Sequence, residues 1–334
     1  MTTLLETRYR AVLRLLPAYY RREREEEMVE TYLWDVDQET QDQSRPTLGE
    51  VASIVALAVR SRLGAGGAPR RYAVLGSAVR LFALFTVLLQ AASAVVDRVL
   101  GLTWASTRGG SQWDLFTDGF TGHGMWAGAD AVAQWFLPLL WTVSYFALLR
   151  DRRRLAQVSA LVAAVPTLWP LVDLWARDFA PSDSAYVVAV AVLAWSSALA
   201  LCAAHHRDAP PAALPAGAPG LVFAACCVLM GGSVVALPGG VDTVWALVTC
   251  YLVTALVWLL YRARSEDRLP AAEAAALAAV GLLLLAVRIT AVYPWLDVLP
   301  GALRVGVLTQ AAALVALTAA LTVVSGRGLL SRGT

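Results

Sequence analysis

The sequence predicts an all-α protein, a polytopic membrane helix bundle of about eight transmembrane helices with a three-helix module at its N-terminus. Three observations predict it. First, 58% of the 334 residues are hydrophobic and mean hydropathy is +0.59, against roughly 45–50% apolar in a soluble domain. Second, the excess falls in runs of about twenty residues almost free of charge, long enough to cross about 30 Å of hydrocarbon as helices. Third, charge is concentrated in residues 1–66, which hold 9 Arg and 11 acids against 18 Arg and 14 acids in the rest of the chain. These features exclude a soluble enzyme, a disordered chain and a disulfide scaffold. All 27 basic residues are Arg, and with 25 acids the formal net charge is +2, so no global field draws in nucleic acid.

Residues 1–66 read as the cytoplasmic helical module. Residues 4–16 place Leu5, Tyr9, Val12, Leu13 and Leu16 on one helical face, and Pro17 closes that helix or opens the next. A second helix over 18–41 carries dense charge and leaves Tyr20, Met28, Tyr32 and Leu33 as a narrow apolar stripe. Thr47-Leu48-Gly49-Glu50 has capping-box spacing ahead of a third helix over 48–63. A glycine-rich hinge follows, including residues 67–71. The first membrane half occupies 72–208, a linker 209–218, and the second half with its tail 219–334. The spans are expected at 74–96, 131–149, 155–176, 185–204, 219–237, 242–261, 270–292 and 302–324, unbroken, with a large outer loop over 97–130.

Arginine bias in short loops sets the orientation. One side holds Arg150, Arg152, Arg153, Arg154, Arg207, Arg262, Arg264 and Arg268; the other holds Arg98, Arg108 and Arg177 among many aspartates. The N-terminus carries Glu6, Arg8, Arg10 and Arg14 and lacks the apolar stretch of a signal peptide. Both termini are therefore expected in the cytoplasm, and the chain in the cell membrane. The halves also align as a 4+4 parallel repeat: with one offset Asp130 meets Asp242, Thr142 meets Thr254, and Arg150 meets Arg262. Chance matching in Ala/Leu/Val-rich sequence is the alternative.

Ionisable residues inside a bilayer are functional candidates by default. Asp173, Arg288, Asp297 and Arg304 collect toward the outer leaflet and are the candidate polar site for a charged or zwitterionic ligand. A structural ion pair, or side chains reaching to the interface, is the other reading. The loop 97–130, with Trp104, Trp113, Phe116, Phe120 and Trp126, is expected to pack as a lid. Asp114, Asp118, His123 and Asp130 match no metal-ligand spacing, and His205-His206 read as interfacial residues. Cys202, Cys226, Cys227 and Cys250 read as small buried hydrophobes. No nucleophile elbow, P-loop or dinucleotide fingerprint is present, so neither an enzyme nor a bound cofactor is expected.

The run Leu13-Arg14-Leu15-Leu16-Pro17-Ala18-Tyr19-Tyr20-Arg21-Arg22-Glu23-Arg24-Glu25-Glu26-Glu27-Met28 resembles the small helical module of HAAS-type membrane proteins. The likeness lies in Leu-x-x-Leu-Pro, the Arg four residues beyond the Pro, and the acidic helix that follows. It implies a cytoplasmic module on a multi-span domain, of a kind associated with PadR-family regulators. The Arg-only basic set resembles high-GC actinobacterial proteins. A regulatory or sensory membrane protein is the expected function, with Arg21, Arg24, Glu25, Met28 and Tyr32 as the face that docks a cytoplasmic protein; a solvated surface is the other reading of that face. The alternative function is a transporter or permease subunit for a small charged or zwitterionic solute.

Overall fold

The computed structural model describes residues 4–34, 45–64, 68–107, 110–121, 125–176, 181–206, 209–214, 217–236, 243–264 and 271–330. Among them the regular structure is entirely helical. The chain divides into two compact units, Met1–Val79 and Arg80–Thr334.

The first unit contains α1 (Leu4–Leu13), α2 (Ala18–Trp34), α3 (Leu48–Arg62) and the opening turns of α4 (Arg70–Thr107). Leu5, Tyr9, Leu13 and Leu16 recur at helical spacing, and all four are buried. Tyr9, Leu13 and Leu16 meet Val29 of α2 and Ile54 and Ala58 of α3 in one core. The Tyr9 ring stacks on Tyr32, centroids 3.9 Å apart. The α3 N-terminus is closed by the expected capping box: the Glu50 amide donates to Thr47 Oγ1, and the Thr47 amide donates to Glu50 Oε2 at 2.7 Å. That same carboxylate oxygen accepts from the Tyr32 hydroxyl at 3.1 Å, so the cap also ties α2 to α3. At the other end of α3 two glycines permit a close crossing. Gly64 has φ +84°, and a Cβ on Gly76 would fall onto the Leu63 carbonyl.

Among the described residues, eight helical stretches are long and apolar enough to cross a membrane: Arg70–Thr107, Gly128–Leu149, Arg153–Val172, Ser184–Ala204, Pro219–Ala236, Val244–Arg262, Ala271–Trp295 and Gly301–Arg327. Length and apolarity on this scale make the chain an integral membrane protein. The elements between and within them differ from the sequence reading in two ways. Residues assigned to a long outer loop are helical: α4 runs on to Thr107, and α5 (Gly110–Thr121) packs on α6 (Met125–Phe136). The reason lies in Trp113, Phe116 and Phe120, whose spacing puts three rings on one face; Phe116 and Phe120 meet Trp135 edge-on.

The second difference is that two spans are broken. A 3-10 turn, Leu137–Leu139, separates α6 from α7 (Leu140–Leu149), and another, Val165–Leu168, separates α8 (Arg153–Ala164) from α9 (Trp169–Ala176). Each turn carries a proline, Pro138 or Pro166, near its start. Proline lacks the N–H that would serve the carbonyl four residues back, and its ring crowds that carbonyl. The remaining helices are α10 (Pro181–Ala204), α11 (Pro219–Ala236), α12 (Thr243–Arg264), α13 (Ala271–Val292) and α14 (Gly301–Leu330). α13 packs closely against α14 and α10. Its face of Ala274, Ala278 and Gly281 is buried, and a Cβ on Gly281 would collide with the Thr318 hydroxyl of α14. Small residues let membrane helices approach closely, where dispersion drives their association.

Candidate functional site

The four residues of the sequence-predicted outer site occupy different environments. Arg288 on α13 is 1% exposed and heads the largest fully buried side chains described. Asp297, in the turn after Tyr293–Trp295, and Arg304, in the first turn of α14, are exposed. Asp173 belongs to α9, and its side chain lies outside the described part.

Around Arg288 the structure assembles residues that the sequence did not single out. The guanidinium lies 5.5 Å from the Trp245 ring centroid of α12. Gln310 of α14 donates through Nε2 to the Trp245 carbonyl at 3.1 Å and to Thr249 Oγ1 at 2.8 Å. Gly306 of α14 lies beside the indole. Three helices thus converge on a buried cation, an aromatic face and an amide. A cation over an indole is attracted by the ring's negative face, so Trp245 both covers and steadies Arg288.

A second polar node surrounds the broken spans. Pro138 deprives the Gln134 carbonyl of its helical donor. Arg98 of α4 supplies another: Nη2 donates to Gln134 O at 2.8 Å and Nε to Trp135 O at 2.9 Å, while the guanidinium sits over the Trp135 ring. Pro170 likewise removes the donor for Pro166 O, which accepts from the Trp169 amide and from Gln134 Nε2 at 3.2 Å. The Val162 carbonyl, which Pro166 would orphan, accepts from the Val165 amide. Each of these freed carbonyls therefore has a partner inside the protein, as a low-dielectric surrounding demands. Asp97 adjoins Arg98 and accepts from Ser93 Oγ at 3.3 Å.

A third node lies at the Arg-rich end of the bundle. His205, just past α10, is buried, and its Nε2 is 3.4 Å from the Arg80 carbonyl of α4. Gln157 of α8 donates to the His205 carbonyl and Arg153 to that of His206, closing the α10 C-terminus. Burial, reinforced by the charges of Arg80 and Arg153 and by His206, pushes the His205 pKa down to about 4. This ring is neutral at pH 7.

In the first unit, the candidate docking residues point in several directions. Met28 and Tyr32 pack against the module's own core, and Glu25 lies 3.6 Å from Arg10. Arg21 is half-buried and Arg24 exposed. Arg10 also forks onto Glu26 at 2.8 and 2.9 Å and reaches Glu6. These bonds raise the Arg10 pKa and lower that of Glu26. An exposed apolar stripe lies on α3: Leu48, Ala52, Val55 and Val59 all face solvent. Their spacing is that of one continuous helical stripe, about a third of a turn around the helix from the buried Ile54 and Ala58. Within the described residues, no three His, Cys, Asp or Glu side chains gather as metal ligands would; His123 lies outside those residues.

No family model, no curated protein and no solved structure matches this chain.

Proposed function

We propose that this integral membrane protein is regulatory: its N-terminal three-helix unit docks a cytoplasmic protein, and the spans anchor it in the cell membrane with both termini inside. The observation that carries the reading is the solvent-facing apolar stripe on α3. A helix apolar on two sides, in a unit that already has a core, has one side to spare for a partner. The HAAS-type resemblance of residues 13–28 supports the same reading. So does α4, which begins in the N-terminal unit and continues without a break as the first span.

Transport of a small charged or zwitterionic solute is the second reading, favoured by the discontinuous second and third spans and the buried Arg288. It ranks lower because the freed carbonyls at Gln134, Val162 and Pro166 each already accept from a donor inside the protein. The test uses the full-length chain in its native membrane, with a photoreactive amino acid at Val55 or, as a control, at the exposed Thr7. The docking reading expects a discrete covalent adduct with a soluble protein from position 55 and none from 7. Adducts from position 55 confined to lipid, together with solute uptake that is lost on Arg288→Ala in reconstituted vesicles, would replace it with the transport reading.

A further inference from the structure

A cavity of about 160 Å³ opens between α4, α11, α12 and α13. Carbon dominates its wall: Phe85 and Leu88 from α4, Val222 from α11, Ala255 and Trp258 from α12, Leu277 from α13. Two of the polar groups at its edge are engaged elsewhere. The Tyr251 hydroxyl donates to Leu277 O at 2.7 Å, and Thr254 Oγ1 donates to Cys250 O at 2.7 Å. A polar solute entering here would exchange water for hydrocarbon contact. A hydrocarbon would lose nothing, and a dry apolar cavity of about this volume accommodates a benzene-sized molecule.

The cavity's depth identifies its occupant. One turn beyond Trp258, the Arg262 guanidinium lies over that indole at 4.6 Å and pairs with Glu273 at 3.2 Å. A cation on an aromatic ring in the last turn of a span marks the boundary between hydrocarbon and headgroups. Leu214, from the segment that connects the fourth and fifth spans, forms another part of the wall. The cavity therefore lies directly beneath the polar surface at the Arg-rich end of the bundle. The apolar species always present there is the upper part of a phospholipid acyl chain.

We propose that this cavity is an acyl-chain site for a phospholipid of the leaflet at the Arg262 end. The chain's first methylenes fill the space against Phe85, Ala255 and Leu277, and the phosphate rests at the level of Arg262. This inference is independent of the docking reading, since it concerns the second unit alone.

The test takes full-length protein reconstituted in phosphatidylglycerol–phosphatidylcholine vesicles, extracted in mild detergent and weighed intact by native mass spectrometry. A parallel arm offers oleate in place of phospholipid. Wild-type protein is expected to retain a phospholipid through washing. Ala255→Phe, which sets a ring into the cavity, is expected to lower retention roughly tenfold with helicity unchanged. Val222→Phe, at a half-buried wall position, serves if Ala255→Phe fails to fold. Equal retention by wild type and a folded cavity-filling variant overturns the proposal, as does retention of oleate without phospholipid.

Discussion

Arg98 does for α6 what a backbone amide does in an unbroken helix. Its donors reach the Gln134 and Trp135 carbonyls, and a hydrogen bond from a charged group contributes about 1.5–3 kcal/mol. Arg98→Leu should therefore destabilise the bundle by about 2 kcal/mol or more. The loss should shrink in a Pro138→Ala background, where residue 138 regains an N–H for Gln134 O; a double-mutant cycle on unfolding free energy reads this coupling. Half of this node was legible in the sequence, because a proline names the carbonyl it frees four residues earlier. The donor was not, because Arg98 reaches Gln134 only once α4 lies against α6. Arg288 stood out as an intramembrane charge, but nothing in linear order says that Trp245, more than forty residues away, covers it. Two titrations belong to this scale. His205, with its pKa near 4 when folded and about 6.5 when unfolded, favours folding above pH 6.5; that contribution fades as pH falls toward 4. Thermal melts at pH 7 and pH 5 should differ less in His205→Gln than in wild type. Tyr32 behaves oppositely. Burial and its bond to Glu50 push its pKa up to about 12, so its contribution is intact below pH 10 and fades between about pH 10 and 12. Tyrosinate absorbance of wild type against Tyr32→Phe should show one ring ionising late.

At the scale of elements, the crossing of α3 and α4 rests on glycine. Gly76→Ala would force a methyl group onto the Leu63 carbonyl, and overpacking of that kind costs about 1–3 kcal/mol. Limited proteolysis should cut the first unit of this variant faster than wild type, while the spans stay protected. Gly64, at φ +84°, should tolerate Ala poorly on two counts: the left-handed backbone, and a Cβ that would fall 2.9 Å from the Ala73 Cα. The positions of the apolar spans were readable because burial in lipid imposes one demand, sustained hydrophobicity, on every residue of a run. The 3-10 turns were harder to foresee. Apolar runs persist straight through Pro138 and Pro166, and a proline inside a membrane helix can kink it or merely remove one bond. Seven glycines between 97 and 130 mask, in linear order, the aromatic stripe at 113, 116 and 120 on which α5 is built.

At the scale of the whole molecule, arginine asymmetry between alternate loops predicts a cytoplasmic N-terminus. A thiol engineered at Thr7, an exposed position, in a chain cleared of its four native cysteines should resist a membrane-impermeant maleimide in intact cells and react after permeabilisation. Reaction in intact cells would invert the scheme. The proposed duplication meets one discordant element: under the alignment of Asp130 with Asp242, Pro138 falls opposite Cys250, and α12 runs without interruption where its counterpart is broken. Sequence offsets align side chains, but they do not carry over a backbone bond that one copy lacks. Finally, α4 spans 38 residues, about 57 Å at 1.5 Å per residue, nearly twice the roughly 30 Å of a bilayer's oily interior. A spar of that length cannot be swallowed by the lipid however it tilts within ordinary limits. At least one end of the rod must therefore stand clear of the oily interior, among the headgroups or in water.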